Sequence, residues 1–284
     1  MKLLFEDLAK KHFTKARVKK YRDWVENANE ARNTASLNEK LNQYDKAEEL
    51  ITFYAFAPLE LRDDKKEIIQ EILRAANLNE PVGEFVDLGF EKQFKPPQGY
   101  LKWLEKEVSR HPVRYVREQG KNHVSRSRRL EANTHVDAVI ETEHLLIFIE
   151  VKFTSDISPQ TTFDAKRNQL ARTIDVGISE AEKKGKKLVV LLCSPSFLYL
   201  EKSRLYYYKI QEYSDFSKIK EDIVWRELEG IRKHLLAVAW VPLETIIEIV
   251  YQDFDSPMNK EAKRFFAERN LEAFQREDDV IEKF

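Results

Sequence analysis

From Thr134 to Lys152 the chain reads Thr-His-Val-Asp-Ala-Val-Ile-Glu-Thr-Glu-His-Leu-Leu-Ile-Phe-Ile-Glu-Val-Lys. Two apolar stretches flank a short polar break, the pattern of two antiparallel strands joined by a tight turn. Side chains alternate faces along a strand, so Glu150 and Lys152 point the same way. With Glu143-His144 as the loop, paired positions sum to 287 and Asp137 falls directly opposite Glu150. Glu-His is not a preferred two-residue turn. A four-residue loop from Thr142 to Leu145 keeps the same pairing, whereas a slip of one residue sends Asp137 to the other face. Facing residues on antiparallel strands have Cβ atoms about 4.5–5.5 Å apart, and like charges placed there repel. Two carboxylates beside a lysine become stable when a divalent cation sits between the acids.

Bulk properties set the frame for this motif. At 284 residues, with 42% hydrophobic and 34% charged side chains, the chain can bury a core without staples and reads as globular. The single cysteine, Cys193, excludes an intramolecular disulfide and a cysteine-rich zinc site. It ends the apolar run Leu188–Leu192 and reads as a core thiol. There is no signal-peptide-like apolar region, and no apolar run approaches a membrane span, so a cytoplasmic setting without membrane contact is the expectation.

The net charge is only −1, but the basic residues are clustered. Lys10 to Arg22 holds seven Lys or Arg and no acid; Lys102 to Arg129 holds nine against three Glu. Such clusters are the electrostatic footprint of phosphate backbones. For the N-terminal run a solvated helix face is an equal reading. The second run stands just before the acid motif and offers Arg126, Arg128 and Arg129 to nucleic acid.

Along the chain, residues 1–82 read as an all-helical N-terminal domain, with apolar residues at helical spacing and a continuation from Leu37 through Ala57. Asn77 to Gly83 is a punctuated boundary. Residues 83–252 form the second domain: a helix from Tyr100 to Arg110, strand or loop material at Val113–Glu118 and His123–Leu130, then the hairpin. Thr161-Thr162-Phe163-Asp164 resembles a capping box opening a helix with Phe163, Leu170, Ile174, Ile178 and Ala181 in one stripe, ended by Gly185. Lys187 to Cys193 reads as a strand buried on both faces. Leu235 to Val241 reads as a further strand, followed by a helix from Leu243 to Tyr251. The tyrosines from Tyr199 to Tyr213 read as packing against the sheet rather than as base-stacking platforms. Residues 253–284 make a C-terminal helical extension, with a charged amphipathic helix from Lys260 to Phe284. The expected class is α/β, a mixed sheet flanked by helices.

Asp137, Glu150 and Lys152 suit metal-assisted phosphodiester hydrolysis. Mg²⁺ takes oxygen ligands and keeps several waters, so two carboxylates suffice, with the Val151 carbonyl as a third protein oxygen. Lys152 can orient a water or stabilise charge on the phosphate. The acid-any-Lys pattern recurs at Asp63, Asp164, Glu182 and Glu261; only Glu150-Val151-Lys152 follows an apolar strand with an acid on its neighbour.

Asp137, twelve intervening residues, Glu150-Val151-Lys152 and then a helix with Arg167-Asn168-Gln169 together resemble the PD-(D/E)xK phosphodiesterase superfamily, the restriction-endonuclease-like fold. The match covers about residues 100–195, with Val136 where a proline often stands. The resemblance implies Mg²⁺ or Mn²⁺ at Asp137 and Glu150, Lys152 acting on the attacking water, and Gln169 supporting the site. It also implies an upstream acid, for which Glu105, Glu107 and Glu131 are candidates; Glu131 shares a face with Asp137 if the strand is continuous. His135 reads as a bystander or supporting residue. Arg167 and Arg172 flank Gln169, and phosphate contact and salt bridging to Asp164 or Asp175 are equal readings. The implied activity is a DNA endonuclease of restriction or repair type. Cutting both strands would call for a homodimer. Alternatives are a catalytically inactive nucleic-acid-binding or scaffold protein on the same fold, or a nuclease directed at RNA.

Overall fold

The hairpin around Asp137 and Glu150 forms the middle of a five-stranded mixed sheet in the computed structural model of the chain, which describes residues 3–33, 47–126, 128–254 and 256–271. Strands β1 (Phe85–Phe94), β2 (Thr134–Thr142), β3 (Leu145–Val151), β4 (Lys187–Ser194) and β5 (Leu235–Pro242) lie side by side in chain order. The first three are antiparallel neighbours; β3, β4 and β5 run parallel. Ala138 faces Ile149 and Glu141 faces Leu146, the register that the alternation of apolar residues demands, with Glu143-His144 as the turn.

Helices α1 (Glu6–His12), α2 (Lys15–Asn33), α3 (Glu48–Phe56) and α4 (Lys65–Ala75) precede the sheet. Between β1 and β2 come α5 (Gln98–Arg110) and α6 (Arg114–Ser125), and α7 (Gln169–Lys184) is the crossover from β3 to β4. The short helices α8 (Ser196–Leu200), α9 (Leu205–Glu212), α10 (Phe216–Asp222) and α11 (Leu228–His234) lead into β5; α12 (Leu243–Tyr251) and α13 (Asn259–Ala267) follow it.

Both faces of β3 and β4 are covered, which explains their unbroken apolar runs. Ile147, Ile149, Val189 and Leu191 share one buried cluster with Tyr54, Ile69, Ile246 and Phe265 of the surrounding helices. On the other face Phe148, Val190 and Leu192 meet Leu170, Ile174 and Ile178 of α7, together with Tyr206 and Tyr213. Each such fully buried side chain stabilises the fold by about 1.5–3 kcal/mol relative to exposure. The first cluster joins residues on both sides of the boundary expected at 77–83, among them Leu3, Leu73, Leu88 and Leu271. Tyr206 and Tyr213 are wholly buried, in keeping with tyrosines packed on the sheet.

Several local expectations are corrected. Arg114–Ser125 is helix, not strand or loop; it buries only Gly120, so few apolar side chains mark its inner face. The capping box at Thr161 does not open α7. Thr161 N–H instead donates to the Asp164 carbonyl (3.0 Å), closing a turn. The helix starts at Gln169, where Asn168 Oδ1 accepts from the Ala171 amide (3.0 Å), and Phe163 lies outside its stripe, edge-on to His123. Gly185 does end the helix, in the left-handed conformation (φ 67°) that spares a Cβ its steric penalty. Strand β1 had no sequence counterpart; its register against β2 shifts between Phe85 and Asp87. The stretch expected as helix from Leu37 is described only from Ala47, and Glu48–Phe56 is helical. The C-terminal helix ends at Ala267, and residues 272–284 lie outside the described residues. No helix among the described residues is long and apolar enough to cross a membrane.

Candidate active site

Continued one step past Ala138↔Ile149, the β2–β3 register brings Asp137 opposite Glu150 at the end of the sheet where β3 and β4 finish, and Lys152 follows β3 directly. Glu150 is 0% exposed and Lys152 6%, unusual values for charged side chains. Lys152 Nζ donates to Glu150 Oε1 at 2.9 Å. Gln169, the first residue of α7, donates its side-chain amide to the same oxygen. Glu150 Oε2 is buried with no hydrogen-bond partner. Asp137 Oδ2 accepts the Val151 N–H at 2.7 Å, so Val151 meets the acid pair through its amide.

The electrostatics follow from this crowding. Burial, then the neighbouring Glu150, pushes the Asp137 carboxyl well above its ordinary range, against the pull of Lys152. Burial also raises Glu150, against Lys152, with Glu48 adding to the rise. For Lys152, burial alone would favour the neutral amine, but Glu150, Asp137 and Glu48 outweigh it and raise its pKa. Two crowded acids with one oxygen unsatisfied make a site short of positive charge.

Glu48, the first residue of α3, is the part of this arrangement that sequence reading missed. Its Oε1 accepts from Phe153 N–H (2.9 Å), Ser155 N–H (3.3 Å) and Ser155 Oγ (2.7 Å), and its Oε2 lies 3.9 Å from Lys152 Nζ. It thereby clamps the turn that follows Lys152. The available signal was Glu48-Glu49 at the head of the apolar run Leu50–Phe56, the acidic start of a buried helix.

The other expected residues separate into near and far. Arg172 is half-buried on α7 and its charge acts on Glu150. Arg167 is not a surface phosphate contact: it is 0% exposed. Its guanidinium pairs with Glu131 (2.9 and 3.2 Å) and Asp175 (2.9 Å) and stacks 3.6 Å above the Tyr100 ring. Glu131 is therefore committed to that ion pair and is no ligand beside Asp137; β2 begins only at Thr134, so no continuous strand carries it there. Glu105 and Glu107 are exposed on α5. Arg126, Arg128 and Arg129 are exposed after α6, and His135 is exposed on β2. Glu91, on β1 between Phe90 and Lys92, adds to the charge that acts on Asp137 but pairs with Arg17 (3.4 Å). Ser155 is taken by Glu48, and Asp156 accepts the amides of Leu205 and Tyr206 (2.6 and 3.2 Å).

A cation fits this donor set. The orphaned Glu150 Oε2 and the Asp137 oxygen that does not bind Val151 are hard anionic donors on adjacent strands. Among the described residues no group of three or more His, Cys, Asp and Glu could hold an ion. Two carboxylates would leave the remaining positions to water and substrate oxygens, as Mg²⁺ commonly does. No family model, curated protein or solved structure matches the chain.

Proposed function

We propose that this chain is a metal-dependent phosphodiesterase cleaving nucleic acid, DNA foremost, on a restriction-endonuclease-like core. The observation that carries the reading is the buried, unpartnered Glu150 Oε2 beside Asp137, with an ammonium group on the same carboxylate. A structural ion pair would satisfy both oxygens, because a buried lone anionic oxygen is costly. The order hairpin acid, Glu-Val-Lys and helix-borne Gln169 also supports the resemblance.

Asp137 and Glu150 would hold the cation, and Mg²⁺ or Mn²⁺ when bound would supply Lewis acidity at the scissile phosphate. Gln169 fixes the Glu150 carboxylate from the head of α7. Lys152 offers a point charge to the developing phosphorane and orients the attacking water. Glu48 holds the turn behind Lys152 and serves as the acid upstream of the hairpin. The test is Mg²⁺-dependent cleavage of plasmid, branched and single-stranded DNA and of RNA, with Lys152→Ala and Asp137→Asn as variants. Activity persisting in both would reject the assignment.

One observation favours a second reading, a nucleic-acid-binding protein without catalysis. Glu150 Oε1 is already filled by Lys152 and Gln169. Calorimetry showing no Mn²⁺ binding to the wild type would decide for it.

A further inference from the structure

We propose that α5 and α6, inserted between β1 and β2, form an arm that grips the phosphate backbone of a nucleic-acid duplex and lays it across the site. The inference rests on the phosphodiesterase reading only for the choice of polyanion.

The two basic runs of the chain behave differently once folded. In the N-terminal run Lys10 and Arg22 pair with Glu6, Lys11 with Glu60, Arg17 with Glu91 and Lys20 with Glu49. That run is mostly neutralised from within. On the arm, Lys102, Lys106, Arg110, Lys121, Arg126 and Arg128 are exposed, and none has a carboxylate partner among the described residues. Among the described residues, Arg129 reaches Asn133 (3.4 Å), and of the arm's cations Arg114 has an acid, Glu118 at 2.6 Å. Unpaired exposed cations held close together repel one another, a cost that a polyanion removes.

The arm is built to present charge rather than to bury surface. Its core is the small cluster Tyr100, Leu104, Val108 and Leu130. A Cβ at Gly120 would run into the Val108 side chain, so glycine is what lets the two helices approach. The arm leaves β1 at Phe94 and rejoins β2 at Thr134, the end of the sheet at which Asp137, Glu150 and Lys152 lie. Its base is tied to the site: Tyr100 Oη donates to Asp164 (3.3 Å), and Arg167, two residues before Gln169, stacks on Tyr100. Near the tip Tyr115 is 68% exposed, and an aromatic among arginines suits a sugar or base edge. An anionic membrane would take the same charges, but the arm's exposed apolar residues Val113, Tyr115 and Val124 are too few to insert a face into lipid.

The test is fluorescence anisotropy with a labelled DNA duplex in EDTA across a salt series, on the full chain. The variant Lys106→Ala/Arg110→Ala/Lys121→Ala/Arg128→Ala is expected to lose at least about tenfold in affinity, and its salt dependence to flatten by about one unit per residue removed. Lys10→Ala/Lys11→Ala in the N-terminal run, whose ammonium groups already pair with Glu6 and Glu60, is expected to bind as the wild type does. If the fourfold variant does not fold by circular dichroism, Lys106→Gln/Arg128→Gln replaces it, with about half the effect on the salt slope. Unchanged DNA binding overturns the proposal, as does binding only to phosphatidylserine vesicles. Because EDTA suspends cleavage, loss of the arm's role is separable from loss of the catalytic reading. Tight binding by an uncleaving Lys152→Ala variant is compatible with this role for the arm.

Discussion

The Val151 N–H donates to Asp137 Oδ2 across 2.7 Å, fastening the acid of β2 to the strand that carries Glu150. The bond fixes where Asp137 sits but does not relieve its repulsion from Glu150, which with burial holds the Asp137 proton tightly. An acid whose folded pKa is raised stabilises the fold below its unfolded pKa and loses that contribution as pH rises through the folded pKa. Stability of the wild type in EDTA, relative to Asp137→Asn, is therefore expected to fall as pH rises above the ordinary carboxylate range of about pH 4. At neutral pH the variant should melt higher by a few degrees, since about 1 kcal/mol is worth about 2–4 °C in a chain near this size. Mg²⁺ or Mn²⁺ should raise the melting temperature of the wild type and not of the variant. Melting curves with and without the cation check this. A wild type that outlasts Asp137→Asn at pH 8 in EDTA contradicts it.

Arg167→Ala should be severely destabilising. It would leave Glu131 buried without its cation and strip Asp175 of one of two, the other being Arg226. Breaking a buried pair from one side costs about 3–5 kcal/mol. Arg167→Lys should recover little, because a lysine can neither bind bidentately nor stack on Tyr100. Urea denaturation measures both. If Arg167 were a phosphate contact instead, Arg167→Ala would fold normally and lose only nucleic-acid binding.

Cys193 should be invisible to thiol reagents in the folded protein. It is wholly buried at the end of β4, and burial pushes its thiol well above the usual range, so little thiolate forms. Labelling with a chromogenic disulfide should follow global unfolding, appearing at the same denaturant concentration as loss of helix. Rapid labelling under native conditions would mean that the β3–β4 core opens locally.

What could be read from sequence was local, and what could not was distant. The β2–β3 register follows from alternation within a single hairpin, so the facing of Asp137 and Glu150 was legible. The Glu131–Arg167 pair was not: its partners are 36 residues apart, and arginine is read as exposed by default. Helix α6 escaped because the residue it buries is a glycine, so few apolar side chains mark its inner face. Strand β1 escaped because its register shifts between Phe85 and Asp87 and because Lys92 interrupts the face carrying Leu88, Phe90 and Phe94. Glu48 escaped because nothing near it in the chain hints at Phe153, 105 residues later.

That distant contact makes the last prediction. Glu48 Oε1 takes two amide hydrogens and one hydroxyl from the turn after Lys152. Glu48→Ala leaves the buried Phe153 N–H without an acceptor, at about 1–3 kcal/mol. The loss should be local: faster amide exchange at Phe153 and Ser155, with β3 and β4 still protected. Lys152 also loses one of three acids, so its ammonium should sit less firmly beside Glu150. Cleavage should fall by a larger factor than stability explains. Ser155→Ala, which removes the hydroxyl but keeps both amide bonds, should do much less to either. Equal effects from the two variants would mean that Glu48 matters to the turn through Ser155 Oγ alone and not through Lys152.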